Sequence, residues 1–298
     1  MNKYEIFTSR LKIMADYIIK PDNKKTVVGI DVGGSTTKIV GFAPGGKLLS
    51  PMFVQATDPV TSIYGAFGKF TLENALTLDE IDRIMMTGAG SAAIGSQIYN
   101  RECKTVSEFS STGIGGLYLS GLDEAIVVSL GTGTAIIHAK RTPDGTVTDY
   151  LGGTGVGGGT ILGLSRKMLG IGSVEHLEQL SEGGDLGLVD LRIKDISKSG
   201  VFKGVNENLT ASNFGNLSDL ASKKDIALGI INMVSETVAM MSIFAARSYG
   251  IKSIVLTGNL TTFKTVRDTF TSLAPTFDVD FIIPDMSQYG TVIGAALQ

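Results

Sequence analysis

The chain reads as an α/β protein of two related halves facing one another across a cleft, and three observations predict it. Its 38 glycines, against 7 prolines, gather at 33–34, 113–116, 131–133, 152–159 and 183–184, each cluster beside an apolar run. Strand-like and helix-like patterns alternate along the chain. The order of a strand, a Gly/Thr turn, two further strands in hairpin sequence and then helices alternating with strands occurs twice, from residue 26 and from residue 124. The expected division is a helical extension over 1–25, a first half over 26–121 and a second over 122–298.

Taken in order, apolar residues at helical spacing suggest a helix near the start, MNKYEIFTSRLKIMADYII. Charges interrupt it too often for a signal peptide or a membrane span. Strands are expected at 26–31, 37–43, about 47–54, 82–86 and 104–106, with helices near 60–75, 91–99 and 108–120. The second set has strands at 124–129, 134–140 and 146–150 and helices at 158–169, 173–181 and 225–249. A strand at 252–257, a helix at 261–273, a strand at 278–282 and a last helix from 289 complete it. The helix at 225–249 carries Ile226, Ile230, Met233, Val234, Val238, Met241 and Phe244 on more than one side, which fits a subunit interface and equally a core helix.

Composition narrows the function. Lys and Arg total 26 against 29 Asp and Glu, a net charge of −3 with no basic tail, so neither nucleic acid nor a membrane surface is suggested as partner. A small molecule is the expected ligand. The one cysteine, Cys103, cannot form an internal disulfide or a CxxC metal site, and His138 and His176 are too far apart in sequence to suggest a ligand pair. A reducing, cytoplasmic setting is expected.

The stretch GIDVGGSTTK at 29–38 and the stretch SLGTGT at 129–134 end the first strand of each half. The former is neither a P-loop nor a dinucleotide fingerprint. By itself it is also compatible with a plain hairpin turn. Its recurrence at the matching place favours two phosphate-binding turns, with backbone N–H groups and hydroxyls converging on a polyphosphate. Gly33, Gly34, Ser35 and Thr36 from the first turn and Gly131, Thr132, Gly133 and Thr134 from the second are the candidate contacts. Asp31 would hold Mg²⁺ directly or through water, and Lys38 would add positive charge if it faces the cleft. The run GGTGVGGGT at 152–160 opens a helix, so Gly155, Gly157 and Gly158 offer amides at a positive dipole end. Gly258, in IVLTGNL, ends a strand where a nucleotide base or ribose could rest.

Phosphoryl transfer needs a group that orients or deprotonates the acceptor hydroxyl. Glu108 suits, in the first turn of a helix that Ser107 could cap, followed by small residues that leave room for a substrate. Helix-dipole complementation alone would also explain an acid there.

The set GIDVGGSTTKIV, MTGAG, VSEF, SLGTGT, GGTGVGGGTILGL, GGDLGLVDLRIKDI, LTASNFGNL and IVLTGN, in that order, resembles the type II pantothenate kinases of the actin-like ATPase superfamily, whose halves are ribonuclease-H-like. The match spans about 26–297, and GGDLGLVDLRIKDI and LTASNFG are its most particular segments. The resemblance implies a homodimeric cytoplasmic kinase that uses ATP and Mg to phosphorylate the hydroxyl of pantothenate, the first step toward coenzyme A. It assigns the catalytic base to Glu108, a substrate and phosphate contact to Thr132, substrate contacts near Gly152 and Gly153, and the dimer contact to helix 225–249. One position departs: an arginine that pairs with the acceptor carboxylate in the family is replaced here by Tyr150. A kinase for a related hydroxyl acceptor, or a silent nucleotide binder, is the alternative this substitution leaves open. An activator ATPase of acyl-CoA dehydratases, with a similar opening motif, would need cluster-binding cysteines beyond Cys103.

Overall fold

The computed structural model describes residues 24–34, 36–55, 58–197 and 207–298. The helix expected near the N-terminus and Ser35 lie outside the described residues.

The first sheet has the order β3-β2-β1-β4-β6-β5, from β1 (Thr26–Val32), β2 (Thr37–Phe42), β3 (Met52–Val54), β4 (Ile81–Thr87), β5 (Gln97–Ile98) and β6 (Arg101–Thr105). The second has the order β13-β12-β7-β8-β9, from β7 (Glu124–Leu130), β8 (Thr134–Thr142), β9 (Gly145–Thr154), β12 (Ser253–Thr257) and β13 (Asp280–Ile282). In both, three antiparallel strands are joined on one side by two parallel ones: β3-β2-β1 by β4 and β6, and β9-β8-β7 by β12 and β13. The same connectivity twice is the duplication expected from the sequence. A short ribbon of β10 (Leu191–Arg192) and β11 (Thr210–Ser212) lies apart from both sheets.

Side-chain alternation places every layer. Val28, Ile30 and Val32 of β1 face outward, with Ile63, Phe67 and Phe70 of α1 (Pro59–Glu73) in the same cluster. Ile126, Val128 and Leu130 of β7 face outward into the cluster of the 26-residue helix α6 (Lys223–Ser248) and of α7 (Lys264–Phe277). Two helices fill the middle, α2 (Glu108–Ser120) and α8 (Gly290–Ala296). Tyr118 and Leu119 of α2 join Val292 and Ile293 of α8 and Val40 and Phe42 of β2, while Leu117 packs with Val127 and Ala139 of the second sheet. The division expected at 121/122 falls in the turn between α2 and β7, and α8 crosses it to lie on the first sheet.

Glycine is required where these helices meet. A Cβ on Gly115 would come within 1.8 Å of the carbonyl oxygen of Gly290, and one on Gly294 within 1.8 Å of that of Ser111. No larger residue fits at that separation.

Most expected elements form, with bounds shifted by a few residues. The helix expected at 91–99 does not: a single 3-10 turn at Ala89–Ala93 is followed by the β5–β6 hairpin. Tyr99 and Asn100, both with positive φ (47° and 60°), make the two-residue turn, and a left-handed pair of this kind matches strand twist. The strand expected from 47 is confined to Met52–Val54, because Pro44–Gly46 turns the chain and only a single bridge, Phe42 to Leu48, follows. The remaining helices are α3 (Gly158–Leu169), α4 (Val174–Ser181) and the one-turn α5 (Ile193–Ile196). α6 is long and apolar enough to span a bilayer by composition, yet 61% of that stretch is buried inside the protein, as a core helix.

Candidate active site

The inward face of the first sheet ends in three polar residues. Asp31 lies opposite Lys38 on β2 and beside Thr87 on β4. All three alternate with outward core residues and so point into the middle layer. Burial pushes the Asp31 carboxyl up to about 6; the nearby Lys38 ammonium opposes that shift, and the charge of Glu108 adds to it. Lys38 is 8% exposed, and burial lowers its pKa against the pull of Asp31. Its Nζ donates to the carbonyl oxygen of Gln288 at 2.6 Å. Lys38 thus faces inward, one of the two orientations the sequence allowed, but its ammonium is bonded to main chain.

The hydroxyl of Thr87 is buried and finds no hydrogen-bond partner among the described residues. A bound water or ligand oxygen would satisfy it. No group of three or more His, Cys, Asp or Glu among the described residues could hold a metal alone. Mg²⁺ nevertheless fits, because it characteristically takes one or two carboxylates and fills its shell with water and phosphate oxygens. A half-buried carboxylate beside an orphaned hydroxyl offers that environment.

The two turns sit in equivalent places. Gly33 N donates to Thr36 O at 3.0 Å, closing the β1–β2 turn, and Gly131 N donates to Gly133 O at 2.9 Å, closing the β7–β8 turn. Gly33, Gly34 and Thr132 are exposed at the tips, with Thr36, Gly131 and Gly133 partly so. Thr134, expected among the phosphate contacts, is instead 6% exposed and donates its hydroxyl to Val156 O at 2.9 Å.

The third glycine run does something the sequence reading did not foresee. The amides of Gly158 and Gly159 donate to the carbonyls of Gly131 and Thr132 at 2.9 and 2.8 Å. A Cβ on Gly157 would meet Gly133 Cα and Thr132 O, both at 2.8 Å. The N-terminus of α3 therefore braces the second turn, and the Gly158 amide is engaged there. Gly155 remains exposed. Gly153 packs on the second turn as well, 2.3 Å from Thr134 O at its would-be Cβ, while Gly152 has φ +130° and open space around it.

Gly258, expected to touch the nucleotide, has φ +94° and would strike Leu130 O at 2.5 Å if it carried a Cβ. Its counterpart in the first half is Gly88, with φ +86° and 2.5 Å to Val32 O. Each follows a buried threonine, Thr87 or Thr257, and opens a 3-10 turn. Gly88 would also meet Asp31 Oδ1 at 2.6 Å, so it belongs to the site, although sequence reasoning did not single it out. The repeat itself, with Gly258 already noted, could have revealed it.

Glu108 is exposed at the first turn of α2, where Ser107 caps the helix by accepting from Ser110 N at 3.4 Å. Phe109 stacks on Tyr150, with centroids 3.9 Å apart and planes 11° apart. Tyr150, on β9, is therefore brought beside the candidate base. Arg141, on the same face of the preceding strand, bonds instead to Leu117 O and Leu122 O at 3.2 and 3.3 Å.

Comparison with known proteins identifies the family and the fold. A family model described as Fumble matches residues 122–278. The type II pantothenate kinase of Staphylococcus haemolyticus (strain JCSC1435) is 30% identical over 242 residues, 78% of this chain and 84% of that protein. That of Staphylococcus saprophyticus subsp. saprophyticus is 28% identical over 241 residues, with the same coverage of 78% and 84%. In fold, the chain is similar to the (R)-2-hydroxyglutaryl-CoA dehydratase component A of Acidaminococcus fermentans, with a TM-score of 0.63 at 19% identity over 92% of this chain and 96% of that one. That likeness is one of architecture, the actin-like ATPase fold. On the sequence match and the doubled sheet together, the chain belongs to the Fumble family, the type II pantothenate kinases.

Proposed function

We infer that this protein is an ATP-dependent kinase that phosphorylates the hydroxyl of pantothenate, the first step of coenzyme A biosynthesis. The observation that carries the reading is the pair of equivalent turns closing the first hairpin of each half, with Asp31 and the orphaned Thr87 hydroxyl side by side at the foot of the first. Glu108 opens the helix that fills the middle layer, and its charge acts on Asp31 in the same direction as burial.

ATP would lie with its phosphates between the turns at 33–36 and 131–133. Mg²⁺, held by Asp31 and arriving with the nucleotide, would offset phosphate charge there. Glu108 orients the acceptor hydroxyl and takes its proton as the oxygen bonds to the γ-phosphorus and the bond to ADP breaks. Gly33, Gly34 and Thr132, open at the tips, contact the phosphates, and the α3 N-terminus keeps the second turn in shape. Tyr150, Gly152 and Gly153 line the acceptor side.

A homodimer through α6 is supported by Phe244, which is 58% exposed on a helix otherwise largely buried. The composition supports a cytoplasmic setting. The test is ADP formation from Mg-ATP by purified protein with and without a pantoyl-bearing acceptor, either pantothenate or an amide of it. Acceptor-dependent turnover is expected, and its absence with every acceptor would refute the reading.

A further inference from the structure

Beside the candidate base the surface is aromatic. Phe109, the residue after Glu108, lies parallel to Tyr150 at 3.9 Å, yet 39% of Phe109 and 46% of Tyr150 remain exposed. Tyr150 stands next to a β-bulge, where the β8–β9 register shifts between Ile136 and Ile137. Its hydroxyl leans over Gly153, 3.0 Å from where a Cβ would be. Two stacked rings left open beside a base make a plate on which a flat ligand group can rest.

The charge that the described neighbouring elements bring to that plate is acidic. Neither α2, nor β9, nor the glycine run through Gly159 contains a lysine or arginine, while Glu108 contributes a carboxylate. Asp149, the preceding residue of β9, faces the other side of the sheet, where it accepts from the Tyr249 hydroxyl at the end of α6 at 2.9 Å. Arg141 is fixed at the far end of α2: it bonds to the carbonyls of Leu117 and Leu122 and lies 3.7 Å from Asp123. Nine residues of helix, about 14 Å, separate Leu117 from Glu108. An acceptor carboxylate set on this plate would lose water and gain no cation from these described elements. A planar amide would keep its dispersion contact with the rings at a far smaller desolvation cost.

We propose that the acceptor bound beside Glu108 has an uncharged tail, an amide- or thiol-ended derivative of pantothenate in preference to the free acid, and that the Phe109–Tyr150 plate selects it. This rests on the kinase reading above and names its substrate class.

The experiment compares kcat/KM for pantothenate, pantetheine and N-pentylpantothenamide in the wild type and in Tyr150→Arg, with ADPNP binding as a check on folding. The wild type should favour the two neutral acceptors by about 10- to 100-fold, the range of one lost charge-assisted contact. Tyr150→Arg should move the ratio toward pantothenate by about tenfold or more, because a guanidinium can bind a carboxylate with two parallel hydrogen bonds. A wild type that uses pantothenate as well as the neutral acceptors overturns the proposal and leaves the kinase intact. An unchanged ratio in Tyr150→Arg removes the plate as the selector. If none of the three is phosphorylated while ADPNP still binds, the kinase reading fails and the proposal with it.

Discussion

Lys38 and Gln288 are 250 positions apart, yet the Lys38 ammonium donates to the Gln288 carbonyl at 2.6 Å. The bond ties β2 to the turn before α8, so the first sheet and the end of the chain are joined at the floor of the cleft. The same ammonium faces Asp31 across the β1–β2 pair. One buried cation thus bonds a main-chain acceptor while its charge acts on a neighbouring carboxylate.

Lys38→Met should leave the Gln288 carbonyl and Asp31 without their partner at a buried position. A loss of about 2–4 kcal/mol is expected, somewhat below a fully buried broken pair because Asp31 can take up a proton. Urea denaturation at neutral pH measures it, and a midpoint like that of the wild type would show that the contact contributes little.

Asp31 sets a pH dependence with a definite sign. Its folded pKa, about 6, lies above the ordinary 3.8, so the folded state holds the proton more tightly than the unfolded one. The stability this contributes is complete below about pH 4 and is lost as pH rises through 6, by on the order of 2–3 kcal/mol. In the nucleotide-free protein, Asp31→Asn should flatten this part of the stability–pH curve. An identical slope in wild type and variant would assign the carboxylate an ordinary pKa.

Glu108→Gln keeps the size of the side chain and removes its basicity. Turnover should fall by about 10²–10⁴ with little change in ATP affinity, since general-base help acts in the transition state. Single-turnover rates and nucleotide titration separate the two. Full activity in the variant would leave Glu108 as a helix-dipole residue only.

The glycines should divide by position. Gly157→Ala forces a methyl against Gly133 Cα and Thr132 O, both at 2.8 Å, and should cost about 1–3 kcal/mol as overpacking while distorting the second turn. Gly34→Ala meets nothing within 4 Å, so stability should hold within about 0.5 kcal/mol and any effect should appear in the KM for ATP. Equal melting temperatures for both variants would contradict the bracing role of α3.

Much of this was legible in the chain. Hydrophobic period and glycine placement are local signals, so the duplicated strand order, the two hairpin turns and the cap at Ser107 could be read directly. The 91–99 segment misled because a short apolar stretch does not distinguish a helix from a hairpin, and the left-handed Tyr99–Asn100 turn settled it.

What the sequence by itself determined is the architecture and the residue types at the cleft: two related halves, an acid ending β1, a glutamate opening α2, glycines at each strand end. Only the tertiary structure decided what those residues touch. The amides of Gly158 and Gly159 hold a turn, Thr134 bonds to Val156, Arg141 closes the far end of α2, and Phe109 finds Tyr150 across the cleft. The physical reason is range: backbone preference and periodicity act over a few residues, whereas a donor's partner is chosen by the packing of elements tens to hundreds of positions apart.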